Sequence, residues 1–321
     1  MRTFRVGLLI ALAALAVTAC GSSKKTTSTS TSASTPASTG TSTTSTTGPG
    51  AGKPTIVLGD KNFEEEYVLG DLYQQALQAK GFKVTLKPNI GSSEITWKAL
   101  TSGQIQMYPE YTGTLLSAIA GQKTPPTSSE QAYTQAKAYA EKHGFTLLDR
   151  TPFSDSDAIG TRVAFAKKYH LVTDADLKKL GHSLILGGAP EFATRQQGLL
   201  GLEKVYGLNP TFKPIAIGLT YKALDSGQVQ VTDVFTTDPQ LTTGKYTVLT
   251  DTKKIFGFQN VAPVVKQSLV KTEGPAFTQT INAVSALLTI PALQKMNAAV
   301  ALDKQSPAAV AHAFLVANHL A

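Results

Sequence analysis

Beyond residue 54 the apolar positions alternate between two rhythms. Thr55-Ile56-Val57-Leu58-Gly59 is a short continuous β-rich run stopped by glycine. Val68, Leu69, Leu72, Tyr73, Ala76 and Leu77 then recur at the three- and four-residue spacing of a helix with one buried face. Asn62 is expected to cap that helix. Glu64, Glu65 and Glu66 fall in its first turn, where the helix dipole favours acids, and Gly81 ends it. Phe82-Lys83-Val84-Thr85-Leu86 alternates like a strand. Strand, helix, strand predicts a parallel sheet with crossover helices, and hence an α/β fold.

The pattern then repeats. Residues 96–114 read TWKALTSGQIQMYPEYTGT and residues 220–238 read TYKALDSGQVQVTDVFTTD, identical at nine of nineteen positions with an offset of 124. Each copy predicts a helix ending at Gly103 or Gly227, then a strand, then a polar turn. A weaker echo sets Ile56-Val57-Leu58-Gly59 against Leu184-Ile185-Leu186-Gly187, the second run feeding a helix expected from Phe192 to Val205. The offset is too long for a solenoid, so the chain reads as two similarly built lobes. Open α/β units bind ligands outside the carboxyl ends of their strands, and two facing units place a cleft there. Lys61, Tyr111, Thr114, Glu191, Arg195, Phe235 and Asp238 all follow such strand ends.

The first 53 residues are built differently. Arg2 and Arg5 precede an apolar run from Val6 to Val17. Twelve residues are too few to span a ~30 Å hydrocarbon core but suit the apolar stretch of a signal peptide, expected over residues 1–19. The run ends in Val17-Thr18-Ala19-Cys20-Gly21, which resembles a bacterial lipobox. That resemblance implies export, cleavage before Cys20 and lipid on its sulfur. Residues 22–47 are almost all Ser and Thr and offer nothing to seed a core, so 20–53 is expected to be a disordered tether.

Charge changes the picture once it is located. The chain carries +8, but residues 1–53 hold five basic residues and no acid. The remainder has 25 basic and 22 acidic residues, 25 − 22 = +3, which is no nucleic-acid footprint. The lone cysteine excludes an internal disulfide framework and any multi-cysteine metal site.

Little in the sequence supports catalysis. There is no P-loop, GxGxxG, HExxH or Gly-x-Ser-x-Gly elbow, and the five histidines lack ligand spacing. Asp155 and Asp157, two residues apart in one loop, do not make the opposed carboxylates of a glycosidase. No cofactor and no metal are expected. The candidates fit binding instead. Lys61 and Arg195, each beside a helix start, suit a carboxylate, the first as a point charge and the second as a fork. Tyr111, Tyr221 and Phe235 suit a quaternary ammonium, which offers no hydrogen-bond donor and is held by aromatic faces.

The segments LGDKNFEEEYVLGDL, GSSEITWKALTSGQIQMYPEYTGTL, GGAPEFATRQQGL and TYKALDSGQVQVTDVFTTD resemble the substrate-binding proteins of osmoprotectant ABC importers, the glycine betaine, choline and carnitine receptors. The similarity runs from about residue 54 to 321. It implies a type II periplasmic-binding-protein fold of two Rossmann-like lobes joined by a two-crossing hinge near 157–163 and 255–263. Lobe one would comprise 54–158 and 262–321, and lobe two 159–261. It also implies that Lys61, Thr114 and Arg195 receive a ligand carboxylate and that Tyr111 and Tyr221 wall a cage. Phe235 stands where the family often has a cage tyrosine, and Asp157 where it often has another. The function so implied is that of a lipid-anchored extracytoplasmic receptor, not an enzyme. It would bind glycine betaine or a similar zwitterion and deliver it to a permease and its ATPase. The rival readings are a receptor for choline or another cationic amino-acid-like solute, and an anchored envelope enzyme.

Overall fold

The computed structural model describes residues 48–321. Cys20, the signal peptide and most of the expected tether lie outside the described residues. The chain builds two five-stranded sheets. In sequence order the strands are β1 (Ile56–Gly59), β2 (Val84–Lys87), β3 (Met107–Tyr111), β4 (Phe145–Leu147), β5 (Asp157–Arg162), β6 (Ile185–Gly188), β7 (Thr211–Pro214), β8 (Val231–Phe235), β9 (Tyr246–Val248) and β10 (Val261–Lys266). One sheet runs β2-β1-β3-β10-β4 and the other β7-β6-β8-β5-β9. The two orders superimpose strand for strand, and β3 and β8 are the strands of the 124-residue repeat.

Neither sheet is wholly parallel, as the strand–helix–strand pattern alone predicts. In each, the first three strands are parallel, while β10 runs against β3 and β4, and β5 against β8 and β9. The reason is the path of the chain. β5 and β10 are each laid down directly after the chain has crossed from the other sheet, and each enters its new sheet from the cleft side. The crossings are residues 148–156 and 249–260. They touch through an antiparallel bridge between Ser154 and Asn260. The Asn260 side-chain amide donates to the carbonyls of Thr151 and Phe153 at 3.1 and 2.9 Å. The first crossing therefore precedes Asp157, which already pairs with Phe235 in β5.

Helix α1 (Glu64–Ala79) covers one face of the first sheet. Leu58, Leu69, Leu72, Tyr73, Phe277 and Leu315 are buried there, each worth roughly 1.5–3 kcal/mol when removed from water. The helix starts one residue later than the sequence reading has it. Phe63, not Asn62, takes the cap position and makes no side-chain cap. Glu66 reaches back instead, accepting from the Lys61 backbone N–H at 3.1 Å. This frees Phe63 to face the cleft. The helix expected over 192–205 is also broken. A short turn at Pro190–Thr194 is followed by Arg195 in extended conformation, and a helix resumes only at Leu199–Tyr206. A Cβ at Gly198 would collide with the Phe192 carbonyl, so glycine permits the tight return. The break turns Arg195 out of helical register and into the cleft.

Candidate functional site

Lys61, Tyr111, Thr114, Asp157, Arg195 and Phe235 line a single cavity between the two sheets, together with Phe63, Asp155 and Gln259. The repeat explains part of this convergence, because Tyr111 and Phe235 are the last residues of β3 and β8. Tyr221 is placed apart. It lines an adjoining compartment that shares Phe63, Asp155, Ile217 and Phe235 with the first. Its hydroxyl donates to Asp238 at 2.8 Å, and its ring meets Tyr246 edge-on at 4.7 Å.

The aromatic wall comes from both halves of the molecule. Phe63 stacks on Phe235 at 5.4 Å between centroids with planes 20° apart, and lies 6.1 Å from Tyr111. Lys61 Nζ sits 4.2 Å from the Tyr111 ring centre. The Tyr111 hydroxyl donates to Glu65 at 2.7 Å, which fixes the ring against the first lobe.

The two basic residues already have partners. Lys61 is 3% exposed and pairs with Glu110 at 2.7 Å and with Glu66 at 3.6 Å, while also donating to Ser93. Arg195 makes a two-pronged contact with Glu94, at 3.0 Å from Nε and 2.9 Å from Nη2, across the cleft. Burial alone would raise the Glu94 carboxyl. The hydrogen bonds and charge of Arg195 outweigh it and bring the pKa down to about 2. Helix α2 (Ser93–Thr101) carries Glu94 in its first turn, while Arg195 reaches it from the extended break before Leu199. Thr114 is likewise committed, its N–H and hydroxyl donating to Gln259 Oε1 at 2.9 and 3.2 Å.

With the cations neutralised, acids dominate the cleft. Burial pushes Asp157 up to about 6 against the opposing pull of Arg195, and Asp238 up to about 7. Burial also raises Asp155 and Asp233, each pushed further by neighbouring carboxylates. A cavity walled by rings and by carboxyls that hold their protons too tightly is short of one thing, a positive charge.

Residues 54–317 match the family model described as the substrate binding domain of an ABC-type glycine betaine transport system. The chain belongs to this family. The glycine-betaine-binding protein of Pseudomonas aeruginosa is 31% identical over 83% of this chain and 88% of its own. The carnitine transport binding protein of Listeria monocytogenes is 26% identical over 84% and 89%. A crystal structure of a glycine betaine/carnitine/choline ABC transporter protein overlays with a TM-score of 0.66, at 27% identity, covering 83% of this chain and 99% of that one. The chain thus has the two-lobed type II binding-protein fold. It is a transporter receptor of the extracytoplasmic kind and not an enzyme.

Against that family background, three residues that sequence reasoning passed over stand out. Phe63 follows Lys61 by two positions and shares its strand-to-helix turn, a proximity that could have flagged it. Glu94 and Glu110 had no such signal. They lie 101 and 49 residues from their cationic partners, and only the closing of the sheets and cleft brings them together.

Proposed function

We propose that this protein is an extracytoplasmic receptor that binds a quaternary-ammonium zwitterion, glycine betaine or a close relative, and hands it to an ABC permease and its ATPase. The observation that carries this is the meeting of Phe63, Tyr111 and Phe235, drawn from both lobes, in one cavity that Asp155 and Asp157 also line. Rings and carboxylates suit an onium group that has charge but no donor. The ligand carboxylate takes the place of Glu94 on Arg195, exchanging one bidentate partner for another. The lobes divide at 156/157 and 260/261, two residues and one residue from the expected bounds, since Asp157 pairs in β5 and Val261 in β10; the crossings act as the hinge on which ligand closes the cleft.

Replacing Tyr111 or Phe235 with alanine is expected to weaken glycine betaine binding by about 1–2 kcal/mol, the size of a desolvated cation–π contact. Calorimetry against an unchanged circular dichroism spectrum checks this, and full affinity in both variants makes the rings ordinary core. One observation favours a second reading, choline or another solute of net positive charge. Lys61 and Arg195 already have carboxylate partners, leaving the acids in excess. Arg195→Ala separates the two, since it weakens a zwitterion and leaves choline largely unaffected.

The receptor is held at the membrane by lipid on Cys20. The support is the small-residue run ending in the chain's single cysteine. Among the described residues no single helix is long and apolar enough to cross a membrane. Cys20→Ala is expected to move the protein from the membrane fraction to the soluble exported fraction. Retention at the membrane to the same extent sinks the lipid anchor.

A further inference from the structure

The compartment beyond the stacked Phe63 and Phe235 has a chemistry different from the ring-lined cavity. Three buried acceptor oxygens border it with no hydrogen-bond partner among the described residues: Asp233 Oδ1, Asn297 Oδ1 and Gln240 Oε1. Asp233 and Asn297 are each 5% exposed. The orientation of Asn297 is set by its neighbour. Its Nδ2 donates to Glu65 Oε2 at 2.8 Å, and Glu65 also accepts from Thr237 and Tyr111. A carboxylate collecting three donors takes the amide nitrogen, so the amide oxygen is the atom left over.

The three acceptors come from three separate elements. Asp233 is on β8, Gln240 is in the Pro239–Thr243 turn of the second lobe, and Asn297 is on the Ile290–Ala301 helix of the first. Asp155 and Asp238 add two more carboxyl groups to the same compartment, and Tyr221 adds a ring. Its one basic residue among those described, Lys304, is exposed and has its ammonium on the Ala301 carbonyl at 2.7 Å.

A buried acceptor without a donor keeps its desolvation cost unrepaid. A trimethylammonium group has no N–H and cannot satisfy any of the three. We propose that this compartment is a second cation site, specific for a group that donates hydrogen bonds, a protonated primary amine or a guanidinium. The inference rests on the ring-lined cavity being the onium site. It extends the solute class to cations carrying a donor-bearing arm.

The test uses agmatine, a guanidinium and ammonium compound with no carboxylate, alongside choline and glycine betaine, by calorimetry on the full chain. Agmatine is expected to bind, and Asn297→Ala and Asp233→Asn are expected to weaken it at least tenfold. Gln240→Ala is expected to weaken it severalfold while changing choline affinity less than twofold. Melting curves without ligand confirm that the variants fold. Since Asp233 lies beside Asp157, the Gln240 variant is the cleaner discriminator. No agmatine binding at millimolar concentration overturns the second site. So does agmatine binding that survives all three substitutions but is lost in Tyr111→Ala, which places it in the onium cavity. Failure of choline and glycine betaine to bind wild type, with agmatine still bound and sensitive to Gln240→Ala, overturns the onium reading and leaves the second site standing.

Discussion

Glu110→Ala is expected to destabilise the free protein by about 3–5 kcal/mol, the cost of leaving a buried charge without its partner. Glu110 is 1% exposed and accepts from four donors: Lys61 Nζ at 2.7 Å, Ser93 Oγ at 3.2 Å, Tyr108 hydroxyl at 2.8 Å and Tyr111 N–H at 2.7 Å. Truncation removes the shared acceptor of all four at once. Glu66 remains in ion-pair reach of Lys61, at 3.6 Å, and is held in a capping contact with the Lys61 backbone. Urea denaturation with an unchanged slope would report the loss as a shift in midpoint. The double variant Lys61→Met with Glu110→Leu should recover much of it, because replacing both partners removes the uncompensated charge. A loss under 1 kcal/mol in Glu110→Ala would mean that Glu66 alone neutralises Lys61, and that Lys61 can be released to a ligand at little cost.

That pair also marks the boundary of what the sequence makes legible. Helix and strand periods locate β1, α1 and the two copies of the repeat, because those signals are local. The repeat goes further and equates Tyr111 with Phe235, one at the end of β3 and the other at the end of β8, which is a correct statement about three dimensions drawn from one. The antiparallel entry of β5 and β10 is not local. It follows from two chain crossings whose residues, 148–156 and 249–260, carry no periodic signature. The charge state of the cleft is less local still. Lys61 and Arg195 read as spare cations from their own neighbourhoods, and only folding shows that Glu110 and Glu94 already answer them. Tyr221 misleads for a related reason. It matches Trp97 in the repeat, on a helix and not at a strand end, so it walls the second compartment and not the first.

The excess of acid has a consequence for stability that runs opposite to the usual one. Asp238 is half-buried near Glu65 and Glu64, and loss of solvent raises its pKa from 3.8 to about 7. Between those values the folded chain holds a proton that the unfolded chain has lost, so stability falls as pH rises through the interval and levels off above it. At about 1.36 kcal/mol per pH unit, the rise from 3.8 to about 7 sets an upper bound of about 4 kcal/mol for this group alone. Asp60 and Asp174, both raised to about 7 by burial, act in the same direction. Glu94, lowered to about 2, contributes stability that is lost only as the pH drops below about 4.5, and is constant across the window. The ligand-free protein is therefore expected to melt several degrees higher at pH 5 than at pH 8. Asp238→Asn should flatten part of that slope, since an amide oxygen can still accept from Tyr221 and from the Phe235 N–H, both of which bond the same carboxyl oxygen. A bound cation reverses the sense, because it favours the ionised acids. With Asp157 at about 6, choline should bind about tenfold more tightly at pH 8 than at pH 5, releasing protons as it does. Thermal melts of wild type and Asp238→Asn at both pH values, with and without choline, check both signs. A ligand-free melting temperature that rises from pH 5 to pH 8 would mean that the buried carboxyls are ionised throughout, with their charge already compensated inside the fold, and an Asp238→Asn slope equal to wild type would remove Asp238 from the group that titrates.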